Sequence, residues 1–195
     1  MRLLMVAPPG AGKGTQAKRL ADHYDIEHIS SGDLFRQEVA AGTEIGRQAK
    51  RYLEAGDLVP DEFVLNLVAS RVAAAAAAGG YILDGYPRNV HQAEAARELA
   101  ANYENIGFQS VIHLRVSRDE LRGRMVARSK LEARTDDTAA TIEHRLEVFD
   151  SQTEPLLEYY ANRGLLLSVD GELTVAAVTA TIIAHLDAMH ASADA

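Results

Sequence analysis

The 195-residue chain contains no cysteine. Disulfides, thiolate catalysis and cysteine-ligated zinc are therefore excluded, and the composition fits a reducing compartment. Long hydrophobic runs are missing too. The N-terminal apolar stretch ends at Pro8-Pro9, too short for a signal-peptide core, and no segment approaches the length of a membrane span. There is no excess of positive charge either, since the formal net charge is -8. General nucleic-acid and anionic-membrane binders carry basic surfaces, so neither partner is expected. The chain shows no internal repeat, and its seven histidines lack metal-ligand spacing. What is there suits one globular domain with a sizeable core: 47% hydrophobic and 25% charged residues. The expectation is a soluble, cytoplasmic protein.

Short apolar, β-branched runs at 2–7, 28–30, 81–85, 110–116 and 165–170 read as strands. Helical patterns fill about 13–23, 32–55, 61–78, 89–102, 118–128, 138–162 and 174–190, and the alanine run 73–78 reads as helix. Such alternation implies parallel strands joined by right-handed crossovers, with helices on both faces. Two connections are irregular. Residues 31–60 place two helices, separated by a turn at Gly42, where one crossover would do, so an inserted subdomain is expected. The polar stretch "SKLEARTDD" at 129–137 is expected to be a mobile lid.

The first chemical signal is "APPGAGKGTQ" at 7–16. A phosphate-binding loop is normally G-x-x-x-x-G-K-[ST]; here Ala7 replaces the first glycine and Gly14 the hydroxyl residue. Gly10, Gly12 and Gly14 nevertheless fall between a strand and a helix. There backbone N–H groups and the helix N-terminus can face an anion, and Lys13 adds a mobile charge. A dinucleotide loop would need glycine at 15, where Thr15 stands, and would give Lys13 no role. Ala7 sits at the strand end, so a negative φ and little cost are expected there. The second signal is "YILDGYPR" at 81–88. Read alone, Asp84 is a turn carboxylate; beside a phosphate loop it becomes a candidate for Mg²⁺, held through water.

These pieces together resemble the nucleoside monophosphate kinases, and within them the short-lid adenylate kinases. The matching segments are "PGAGKGTQ", "ISSGDLFR", "GDLVPDE", "YILDGYPRNVHQAE", "RGRMVAR", "RTDDTAATIEHRL" and "EPLLEYY", in family order over nearly the whole chain. The resemblance implies a P-loop NTPase-like three-layer α/β sandwich with a five-stranded parallel sheet of order 2-3-1-4-5. It implies one domain over 1–195: a core (1–29, 60–128, 138–195), a nucleoside-monophosphate subdomain (30–59) and a short lid (129–137). Only five residues separate Arg128 from Arg134, leaving no room for a long lid or its zinc site. The implied reaction is reversible, Mg²⁺-dependent transfer, ATP + AMP = 2 ADP, by a monomer.

By the same resemblance Gly10, Ala11, Gly12, Lys13, Gly14 and Thr15 bind ATP, with Arg124 against its adenine. Ser31, Arg36, Leu58, Val59, Gly85, Arg88, Gln92, Arg134 and Arg145 bind AMP, Arg36 and Arg88 on its phosphate. Arg128, Arg134 and Arg145 reach the transferring group, oriented by Asp136 and Asp137, while Asp84 and Asp33 lie near the metal. Gln92 suits adenine because an amide pairs with both donors and acceptors. Arginines are what this chemistry asks for, and 115–145 holds eight of the chain's twenty Lys and Arg. Arg115, Arg118 and Arg122 read as a solvated face, and His113 and His185 as structural or solvated. Alternatives stay open at this point. Ser31, where threonine is usual, leaves a UMP/CMP-type kinase possible. Ala7, Ser129 and Ala133, where glycines are usual, leave a weakly active nucleotide-binding paralogue. A P-loop switch or motor would need no twin-arginine acceptor site.

Overall fold

A computed structural model describes residues 1–101, 106–131 and 138–193. Five strands, β1 (Arg2–Val6), β2 (Glu27–Ser30), β3 (Tyr81–Asp84), β4 (Ser110–Arg115) and β5 (Leu166–Asp170), form one parallel sheet in the order β2-β3-β1-β4-β5. This is the expected order. The two-residue period of a strand explains the layering. Leu3 and Met5 of β1 join a core with α1 (Lys13–Tyr24), α6 (Arg118–Leu131) and α9 (Val175–Ala193). Leu4 and Val6 point to the other face, toward α4 (Asp61–Ala77), α5 (Val90–Ala101) and α8 (Pro155–Ala161). Both faces are covered, so β3 is buried along its whole length, as its apolar run required.

Between β2 and α4 lie α2 (Ser31–Ala40) and α3 (Glu44–Ala55), which pack chiefly on each other. Ser30 caps α2 by accepting from Asp33 N, Gly42 makes the left-handed turn (φ 65°), and Thr43 caps α3 by accepting from Gly46 N. The helices touch at Gly46, where a Cβ would come within 2.2 Å of Glu38 O. The stretch expected as one helix over 138–162 is divided: α7 (Ala139–Val148), a π-helical turn (Phe149–Thr153) and α8. Pro155, which has no N–H to donate, opens α8, and Glu154 N reaches back to Phe149 O at 2.9 Å. The boundary of the expected lid also differs. Ser129 and the two residues after it continue α6, with Ser129 Oγ donating to Val126 O at 2.9 Å.

Candidate active site

The strand ends converge on a cleft of about 950 Å³. On one wall, β1 gives way to the glycine loop. Ala7 is buried without a positive φ; among the described residues Asp25 is the only non-glycine with one. The expected negative φ at Ala7 therefore holds. Gly10 and Gly12 carry the turn instead, at φ 84° and 93°. A Cβ on Gly10 would also meet Met125 Cγ at 2.8 Å and Leu121 O at 3.1 Å. Gly12 precedes α1 and supplies no side-chain cap, and Gly12 to Thr15 line the cleft. That is the composition of a helix N-terminal anion site. Lys13 Nζ donates to Ala7 O at 2.7 Å and Pro8 O at 3.1 Å, so the loop folds around its own lysine. Burial pushes the Lys13 pKa down to about 8; Asp84 opposes that shift, while Arg88 and Arg128 add to it.

The middle of the cleft belongs to β3. Its parallel neighbours set Met5, Asp84 and Ser30 in one row at the C-terminal edge. Gly14 faces the carboxylate with room to spare, since a Cβ there would make only an ordinary contact 3.9 Å from Asp84 Oδ2. Gly85 (φ 88°) is the tight position on the opposite wall, since its Cβ would fall 2.6 Å from Ser31 Oγ and 3.2 Å from Arg88 Nη2. Among the described residues no cluster of three or more His, Cys, Asp or Glu could enclose a metal ion. Asp84, which lines the roomy cleft together with Asp33 and Asp57, does fit a largely hydrated Mg²⁺.

Five arginines meet here. Arg36, Arg88, Arg124, Arg128 and Arg145 line the same cleft as Lys13. Arg36 pairs with Asp33, and Arg88 Nε donates to Gly85 O at 2.7 Å. Arg124 Nε donates to Glu120 Oε1 at 2.7 Å and its Nη1 to Gly171 O at 3.0 Å. Arg145 Nη2 donates to Leu53 O at 3.3 Å. The Arg88 guanidinium is open to the cleft yet crowded by protein, and this partial removal from water lowers its pKa. Asp84 counters the shift; Arg145 and Arg36 reinforce it. Like charges gathered this way are complementary to a polyanion.

Other expected residues sit differently. Leu58 lines the cleft, but Ser31, Val59 and Gln92 are buried behind its wall. Arg134, Ala133, Asp136 and Asp137 fall outside the described residues. Arg118 pairs with Asp150 at 2.7 Å and Arg122 with Glu143 at 2.5 Å, while Arg115 is exposed, so these three form a solvated face as expected. His185 is exposed. His113 is buried, donates through Nδ1 to Val6 O at 2.9 Å, and has its pKa lowered chiefly by burial.

Three features were not read from the sequence. The loop from Gly171 to Val175 closes the cleft beside Arg124. His144 Nε2 meets Asp57 Oδ1 at 2.6 Å, joining α7 to the end of the α2–α3 unit across 87 positions. Asp61 holds Gln92. Asp57, Asp61 and His144 lay inside recognised motifs, but nothing local announced their partners.

A parallel sheet of this order, with a phosphate loop facing a cluster of arginines, defines a P-loop phosphotransferase. The adenylate kinase family model matches residues 5–165. The chain is 45% identical to an adenylate kinase of Stenotrophomonas maltophilia, over 96% of this chain and 100% of that protein. It is also 45% identical to one of a Nocardioides species, over 96% and 97%. With an adenylate kinase of Desulforudis audaxviator it shares 40% identity over 95% and 99%. The chain belongs to the adenylate kinase family.

Proposed function

We propose that the protein transfers a phosphoryl group reversibly between ATP and AMP, giving two ADP and balancing the adenine nucleotide pool. The observation that carries this reading is the meeting of Lys13 with Arg36, Arg88, Arg124, Arg128 and Arg145 around one cleft. The acceptor is a phosphate oxygen that is already anionic, so alignment and charge neutralisation suffice and no general base is needed. The loop from Gly10 through Ala11, Gly12, Lys13 and Gly14 to Thr15 holds the ATP phosphates. The ATP base lies between Arg124 and the Gly171–Val175 loop. Arg36 and Arg88 hold the AMP phosphate beside Gly85; Leu58, Val59, Ser31 and Gln92 shape the base pocket. Arg128, Arg134 and Arg145 reach the group in transfer.

Asp84, with Asp33 nearby, would hold a hydrated Mg²⁺. When bound, the ion neutralises charge on the donor phosphates. Closure of residues 30–59 over the substrates excludes water, protecting ATP from hydrolysis. Among the described residues only Val126, Leu173 and Val175 are large, apolar and exposed, which fits a monomer. No described helix is long and apolar enough to cross a membrane; with the acidic, cysteine-free composition, this supports a cytoplasmic location. The test is stoichiometry followed by ³¹P NMR. ADP should form at two per ATP consumed, only with both AMP and Mg²⁺ present. ATP breakdown without AMP at a comparable rate would contradict the proposal.

A further inference from the structure

The Gln92 amide is pinned at both ends by partners that each have only one hydrogen-bonding role. Its Nε2 donates to Asp61 Oδ1 at 2.5 Å, and its Oε1 accepts from the Arg88 backbone N–H at 2.7 Å. A carboxylate only accepts and a backbone N–H only donates. Reversing the amide would replace two hydrogen bonds by two repulsions, at a residue that is 2% exposed. The backbone of Gln92 is fixed as well: its N–H donates to Asn89 Oδ1 at 2.8 Å, and its carbonyl accepts from Tyr86 Oη at 3.3 Å. Asp61 stands in the first turn of α4, with its second oxygen 2.9 Å from His91 Nδ1.

Orientation matters because an amide can pair with either of two opposite base edges. Adenine offers a 6-amino donor beside an N1 acceptor. Hypoxanthine and guanine offer a 6-oxo acceptor beside an N1–H donor. After its bonds to Asp61 and Arg88, the Gln92 amide retains one N–H and one carbonyl lone pair. Which edge those remaining groups match depends on which end of the amide is which. We propose that Asp61 is a specificity-determining positioning residue: it locks the Gln92 amide in the orientation that selects a 6-amino base over a 6-oxo base. The proposal rests on the reading above in which Gln92 shapes the AMP base pocket.

The test uses the full-length protein with Asp61→Asn. It measures KM for AMP and ATP and the inhibition constant of IMP competing with AMP. The asparagine amide can either donate or accept, so only the Arg88 N–H is left to favour one orientation and the lock is weakened. KM for AMP should rise about tenfold and the preference for AMP over IMP should fall at least about fivefold. KM for ATP should stay within about twofold. Asp61→Ser, whose hydroxyl is equally two-sided, should lose the same preference, so the result does not depend on one variant folding. Asp61→Glu keeps a group that only accepts and should keep most of the preference. If Asn and Ser variants melt earlier but discriminate normally, Asp61 is only a helix N-terminal charge and the proposal is overturned. Gln92→Ala tells the two readings apart. Unchanged acceptor kinetics in that variant would remove Gln92 from the base site altogether. A lost preference there, beside intact Asp61 variants, would sink the Asp61 proposal alone.

Discussion

The two walls of the cleft are built from different materials. The donor wall is mostly backbone: Gly10 and Gly12 in left-handed conformations, then an α-helix without a side-chain cap. The acceptor wall is mostly side chains holding one another. Asp33 pairs with Arg36, Arg88 bonds Gly85 O, and Gln92 spans Asp61 and Arg88. A backbone site is fixed by torsion angles that few residues allow. A side-chain site is fixed by partners, so one substitution there leaves another polar group unmatched. Damage to the donor wall should therefore come from adding atoms, and damage to the acceptor wall from removing them.

The largest effect is expected on the acceptor side. Arg88→Ala should lower phosphoryl transfer by on the order of a thousandfold, with ATP affinity, read by calorimetry, within about threefold of the parent. Substantial AMP-dependent transfer in that variant would break the division of labour. On the donor side, Gly10→Ala adds one methyl at positive φ and within 3 Å of Met125. Strain of about 1–2 kcal/mol is expected, lowering the melting temperature and weakening ATP binding about tenfold or more. KM for AMP, measured at saturating ATP, should change far less.

The lysine offers a subtler probe. Lys13 has a pKa of about 8, below its ordinary value of 10.5, so the free protein loses this charge as pH rises through 8. ATP affinity should be flat below pH 8 and then fall by up to about tenfold per pH unit. A Lys13→Met variant, weak throughout, should show no such bend. The stability effect has the opposite sign. Between pH 8 and 10.5 the unfolded chain binds more protons at this group, so its contribution to stability rises with pH in that window. The smallest effect belongs to Ala7→Gly. Since Ala7 already lacks a positive φ, ATP affinity should move by less than about twofold. A large gain would mean that alanine strains the loop.

The same contrast explains what could be read from the sequence. The five strands, their parallel arrangement and the glycine loop rest on local rules, namely apolar periodicity and glycine spacing between a strand and a helix, whereas the strand order followed from the family resemblance. They agree with the structure almost residue for residue. Asp84 was legible for the same reason, as the last residue of a buried strand. The break of 138–162 at Pro155 had a signal in the proline itself; the extension of α6 past Arg128 had none, because serine, lysine and leucine carry no stop. Contacts across long separations were the illegible part. His144 with Asp57, Gln92 with Asp61, and Arg145 with Leu53 O join residues 87, 31 and 92 positions apart. No helical or strand period links such positions, so only the fold brings them together.

The central claim is that this cleft moves phosphate from ATP to AMP, and its most direct test is a panel of acceptors. Initial rates would be measured with Mg-ATP and each of AMP, UMP, CMP and GMP, with ADP formation followed by a coupled assay. AMP should give the highest kcat/KM of the four by at least about a hundredfold, since mismatched hydrogen-bonding groups are poorly tolerated in a buried base site. UMP or CMP preferred over AMP would contradict the account.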